Sequence, residues 1–300
     1  MTAPITALTT GLTTGPWSNL ARSTQAELLR MRKWPAVWVT LGAWLALALM
    51  FGYLFSYLSY KTGDLTFADE GSTRAALLAG LLPGAVPDVL LRGMPMFGGA
   101  LMMVLGAIVA GNGYGWGTWK TVFTQGPSRT SSVLGSLAAM SIFIVGTVLA
   151  TLALYVGVSL LIATTESQAV VWPAASELAQ SVGGGLLVLE MWALAGFALG
   201  TLARGPALSV GLGLVWALVL ENLLRGVGAL LGPVESFTTV LPGTAAGSLV
   251  GALIGGGTSS ADTPGVLDVL SGTQATITVL AYVVVLPLVA LVLVRRRDVT

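Results

Sequence analysis

A chain of 300 residues with neither Cys nor His has a short list of possible chemistry. Thiol reactions, disulfides, haem ligation and imidazole metal sites are excluded, which leaves carboxylates as the groups able to handle protons. Glu190, between Leu189 and Met191, lies inside a long apolar run. A carboxylate there is expensive and by default faces a cavity or a partner rather than lipid. It would either meet a cationic substrate group or couple to protons. The alternatives are a protonated or hydrogen-bonded packing residue, or a contact across a dimer. Glu221 and Arg225 are four apart, a spacing that pairs them on a helix, and they read as a structural pair at the outer membrane edge. Lys120-Thr121 would close a phosphate loop only with Gly directly before the Lys. Trp119 stands there, so no nucleotide site is expected in this chain and it is not read as an enzyme.

The elements that must position these residues are membrane spans. Hydrophobic residues make up 55% of the chain and charged residues 9%, against about 25% charged in a soluble domain. With roughly 20 apolar residues per crossing, the pattern predicts an all-α protein of six spans. They fall at about 36–58, 94–112, 133–163, 183–202, 207–224 and 275–294. The third is long enough to tilt or to extend beyond the bilayer. Residues 1–16, rich in Thr, Gly and Pro, read as a flexible leader. Residues 17–300 read as a single transmembrane domain.

Three polar segments connect this scaffold. Residues 17–34 place Leu20, Thr24, Leu28 and Met31 on one helical face and Arg22, Arg30 and Lys33 off it, bracketed by Trp17 and Trp34. That is the pattern of a helix lying in the membrane interface, the simpler alternative being a tail held near lipid by its charge. Pro35 marks the turn into the first span. Residues 113–129 are polar and Gly-punctuated and must leave the hydrocarbon, with one or two helical turns over 118–124. Residues 237–257 are apolar but broken by Pro242-Gly243, and read as a short re-entrant or surface-lying helical pair before the last span.

Orientation follows from Lys and Arg. Ten lie on one side: Arg22, Arg30, Arg32, Lys33, Lys120, Arg129, Arg204 and Arg295 to Arg297. Lys61, Arg74, Arg92 and Arg225 lie on the other. Both termini are therefore expected in the cytoplasm. Many Arg, few Lys and abundant Gly and Ala suggest a GC-rich bacterial genome, and the bacterial inner membrane is the expected location. The net charge of +1 gives no pull toward nucleic acid, and no such partner is expected. The four-residue Gly spacings at Gly196/Gly200 and Gly247/Gly251/Gly255 permit close helix packing. Met94, Met96, Met102 and Met103 read as core filler before an adaptable substrate path.

With that topology the chain resembles the permease subunit of an ABC transporter of the ABC-2 exporter type. The features that match are the interfacial helix, the Gly117-Thr118 and Pro127-Ser128-Arg129 of the loop between spans two and three, the excursion before span six, and the terminal Arg-Arg-Arg-Asp-Val. The family's acidic residue four positions before Gly-Thr is Gly113 here, and its basic residue at the start of span three is Ser136. The resemblance implies that the loop docks into separate ATP-binding subunits, two copies of which bind ATP and Mg and drive a pair of permease chains. Trp116, Gly117, Thr118, Trp119, Val122 and Phe123 would form the contact, with Lys120 and Arg129 as rim or lipid-facing charges. The alternative for the aromatics is anchoring at the lipid headgroups. A nearly charge-free pathway suits an amphipathic or hydrophobic substrate such as a drug, a peptide antibiotic or a lipid-like molecule. The rival reading is an ion-gradient-driven secondary transporter using Glu190, for which no internal repeat is visible. An intramembrane enzyme would want clustered polar groups at one interface, and His is absent.

Overall fold

A computed structural model describes residues 16–64, 73–125, 128–228, 230–231, 236–255 and 263–297. The leader, Pro127 and the end of the Arg-Arg-Arg-Asp-Val run lie outside them. Among the described residues there is no strand, and six helices are long and apolar enough to cross a membrane. This is a multi-pass membrane architecture. The spans are α2 (Pro35–Thr62), α5 (Met94–Gly115), α7 (Arg129–Thr165), α8 (Ala175–Ala203), α9 (Pro206–Gly228) and α11 (Gly272–Arg296). Shorter helices are α1 (Pro16–Lys33), α3 (Arg74–Ala79), α4 (Val86–Leu91), α6 (Thr118–Gln125) and α10 (Pro242–Leu253). The spans run past the expected limits because apolar counting finds only the hydrocarbon layer. Helix α8, for instance, starts at Ala175 with Glu177 in its first turn. At 37 residues, α7 is about 55 Å long, well beyond a hydrocarbon core of about 30 Å.

The centre of the fold is α5 against α8. A side chain at Gly106 would run into the Ala193 carbonyl, one at Gly196 into the Met103 carbonyl, and one at Gly200 into the Ala107 carbonyl at 2.7 Å. Small residues let the backbones touch, which drives association where lipid is as apolar as the side chains. Met94, Met102 and Met103 are buried in this core. Helix α2 is tied to α7 by Trp44 Nε1, which donates to Thr151 Oγ1 at 2.9 Å, and by Tyr155 Oη, which donates to the Ala48 carbonyl at 3.0 Å. The π-helical turn Met50–Leu54 contains Gly52, where any Cβ would sit 2.8 Å from Tyr155 Oη. The widened turn thus accommodates the ring.

One feature departs from expectation, and another decides between two expected forms. Helix α4 has no counterpart in the predicted scheme, yet five of its six residues are buried, packed between α7 and α8. The excursion before α11 is not surface-lying. Helix α10 has eight buried residues, lies against α8 and α11, and is preceded by one helical turn at 236–238. Gly247 and Gly251 serve close packing as expected, but against the non-helical backbone at Gly265 and Leu267 rather than another helix.

The α5–α8 contact predicts that Gly196→Val lowers the thermal midpoint of the purified protein by a loss of about 1–3 kcal/mol or more. Gly146→Val, where a Cβ meets nothing within 4 Å, should leave it unchanged. Equal midpoints for the two variants would contradict the packing.

Candidate functional site

The ten basic residues gather at one end of the bundle, and the connection between α5 and α7 lies among them. Helix α5 ends at Gly115, and Gly117 takes a left-handed φ of 67° that turns the chain into α6. Trp119 is 5% exposed and points inward. Its Nε1 donates to the Ala110 carbonyl at 3.3 Å, and its ring lies so close over Gly113 that a side chain there would collide with it. The indole fills the space that any side chain at Gly113 would need. Thr118 Oγ1 donates to the Gly113 carbonyl at 3.3 Å. Helix α6 is thus fastened to the end of α5 by its first turn. Its outward residues are Lys120, Thr121, Val122 and Thr124, all exposed. Trp116 is 65% exposed and meets Trp34 with ring centroids 5.9 Å apart. Phe123 belongs to α6, but its side chain lies outside the described residues.

Helix α1 lies against the start of α7, close enough that a Cβ at Gly135 would meet Ser23 Cβ at 2.6 Å. Its most buried residues are Ser23 and Met31, while Leu20, Thr24 and Leu28 are half-buried. Arg30 is not clear of the buried side. It pairs with Glu27 at 2.8 Å, reaches the Val109 carbonyl at 3.4 Å and stacks over Trp34 at 5.4 Å. Burial pushes the Glu27 carboxyl up, against the opposing pull of Arg30 and a hydrogen bond with Ser136. Ser136 is thus part of the α1 contact.

Several of the clustered arginines close helix ends. Arg129 Nη1 donates to the Arg297 carbonyl at 3.0 Å and the Val294 carbonyl at 3.3 Å. Arg297 Nη1 donates to the Leu202 carbonyl at 3.1 Å, and Arg295 Nε to Thr130 Oγ1 at 3.1 Å. The last carbonyls of a helix lack intrahelical donors and carry partial negative charge, so these cations satisfy both needs. Arg129, expected at a rim or in lipid headgroups, instead joins α7 to α11.

Glu190 is half-buried, and its Oε1 accepts a 2.6 Å hydrogen bond from Ser141 Oγ, joining α8 to α7 at mid-span. Glu221 and Arg225 come together as expected at 3.8 Å, with Glu221 0% exposed. No cluster of acids fit to hold a metal occurs among the described residues. Compared with models of known protein families and with curated proteins, the chain matches none.

Sequence reading missed a clasp at the opposite end. Glu166, just past α7, accepts from Lys61 Nζ at 2.6 Å and from the hydroxyls of Tyr57 and Tyr60 at 3.0 Å each. Arg74 stacks over Tyr60 at 5.1 Å. Nothing in the spacing of Tyr57, Tyr60 and Lys61 names a partner more than 100 residues on. The hydrogen bond from Lys61, then those from the tyrosines, hold the Glu166 carboxyl below the usual carboxylate range. A lowered folded value means a stabilising contribution that is present above the unfolded value of about 4.3 and lost as pH falls through the folded one. Wild type should therefore melt above Glu166→Gln at about pH 6, and the gap should close as pH is lowered past about 4 and through the folded value. Thermal midpoints across that range check this, and a constant gap would contradict it.

Proposed function

We propose that this chain is the membrane-spanning subunit of an ATP-driven exporter of the ABC-2 type. Two such chains, a homodimer in the simplest case, form the path, and two separate ATP-binding subunits that hold ATP and Mg dock at the basic end. The observation that carries this reading is α6. It is a short helix outside the spans, pinned by the buried Trp119 and presenting Lys120, Thr121, Val122 and Thr124 outward. A helix fixed to the end of α5, itself packed backbone to backbone on α8, can pass a push from a partner directly into the core of the bundle. Exposed apolar and aromatic groups such as Val122 and Trp116 are the kind that dominate interface energetics.

The basic end is the cytoplasmic one by its Lys and Arg excess, which puts both termini inside a bacterial inner membrane. Helices α9 and α11 are the least buried of the spans, at 17% each, which leaves surface for lipid and for the second chain. The charge-poor interior suits an amphipathic or hydrophobic substrate. For the rival reading, ion-driven transport through Glu190, the bond to Ser141 favours a packing role over a proton relay.

Purification of the tagged protein from its native cell in mild detergent tests the proposal. An ATP-binding subunit is expected to come with it. Val122→Asp, which places a charge on the exposed face, should cut its recovery about tenfold or more, as loss of an interface anchor does. Lys120→Glu should reduce it less. Recovery of the wild-type chain alone, with no nucleotide-dependent activity, would overturn the proposal. Trp119→Ala is unsuitable as a probe of docking, because that side chain holds α6 in place.

A further inference from the structure

At the end opposite the basic residues, Glu221 is 0% exposed. Its Oε1 accepts from Trp216 Nε1 at 2.8 Å. Its Oε2 lies against Gly243 and makes no hydrogen bond. It lies so close to Gly243 that any side chain there would collide with it. Arg225 Nη1 is 3.8 Å away, too far for a hydrogen bond, and the guanidinium is engaged with Asn222 Oδ1 at 2.7 Å and Thr244 Oγ1 at 3.5 Å.

Gly243 is the second residue of α10, whose start is poorly provided. Its N-cap is Leu241, which has no side-chain acceptor, and Pro242 follows at the first position with no N–H. The first N–H groups of a helix need an acceptor and favour negative charge. Here that charge comes from another helix, α9, through Glu221.

Glu221 also lines a cavity of about 40 Å³ with Trp192 of α8, Pro95 and Met96 of α5, Ala217 and Leu218 of α9, and Gly265. Asn222 and Arg225 stand at its exposed rim. Trp192 is 3% exposed, and its Nε1–H has no partner. One buried acceptor and one buried donor, both without a hydrogen-bond partner, therefore belong to residues that line a space larger than the roughly 10–15 Å³ that a water needs. A dry cavity would leave both groups at the full cost of burial without a hydrogen bond.

We propose that Glu221 is a proton-binding site, hydrated through this cavity, whose charge decides whether α10 is held to α9. The charged or titratable groups facing it are Arg225 on its own helix and Tyr282 on α11, whose hydroxyl donates to the Val240 carbonyl at 2.7 Å. The other groups set against it, Trp216, Trp192, Met96, Gly243, Thr244 and Gly265, carry no charge. As a carboxylate, Glu221 places negative charge beside the N-terminus of α10 and balances Arg225. On taking up a proton from the cavity water it loses both attractions, and α10 is freed from its place between α8 and α11. The site lies at the far end from α6, and this inference stands whether or not an ATP-binding subunit docks there.

Hydrogen exchange of the full-length protein in nanodiscs, from about pH 5 to about pH 9, covers the range buried carboxyls reach. After correction for intrinsic rates, protection over residues 243–253 should fall about tenfold or more on the acid side. Glu221→Gln should show the low value at every pH. Trp192→Phe removes the donor across the cavity and should move the wild-type midpoint to higher pH. Protection that is independent of pH in the wild type would overturn the proposal, even if Glu221→Gln fails to fold. So would a Glu221→Gln protein that keeps the wild-type response, or an unmoved midpoint in Trp192→Phe.

Discussion

The close approach of α5 to α8 is the constraint on which the rest of the molecule depends. Gly106, Gly196 and Gly200 let two backbones meet where any side chain would hold them apart. In lipid, where burying apolar surface gains little, such contact is a main source of helix association. Its position also sets the reach of everything attached. The end of α5 carries Gly113 and so locates Trp119 and α6. The mid-section of α8 carries Trp192 and Glu190. The start of α5 supplies Pro95 and Met96 to the cavity under α10. The two ends of the bundle are thus linked through one rigid pair.

The polar groups follow a second rule, that backbone or charge left unsatisfied in this environment is costly. Arg129 and Arg297 close the carbonyl ends of α11 and α8, Glu221 serves the amide end of α10, and Ser141 supports Glu190. The excess of arginine at one end, read from sequence as a topogenic signal, is therefore also a set of structural connections. Salt bridges at the exposed edges add little by themselves. The buried capping arrangements matter more because their loss would strand charges and peptide groups away from water.

Much of this was legible in the sequence, for physical reasons. Six spans follow from apolar length, the turn at Pro35 from the restriction proline imposes, and α6 from a polar segment that cannot stay in hydrocarbon. Pairing of Glu221 with Arg225 follows from helical spacing. What was not legible depends on contacts distant in the chain. Trp119 reads as a docking contact until Gly113 is seen beneath it. Helix α4 is too short and too broken by Pro87 to register as a buried element, yet α7 and α8 enclose it. Glu166 meets Tyr57, Tyr60 and Lys61 only because α2 and α7 lie side by side. The role of Glu221 at α10 needs the excursion folded back inward, which the Pro242-Gly243 break suggested without showing its destination.

The central claim, that the outward face of α6 receives an ATP-binding subunit, is tested most directly by contact in the living cell. A photo-cross-linking residue placed at Val122 and, separately, at the exposed mid-span position Ile142 would report what touches each. The account predicts a covalent adduct between position 122 and a nucleotide-binding protein, with none at 142. No protein adduct at 122, or the same adduct at both positions, would contradict it.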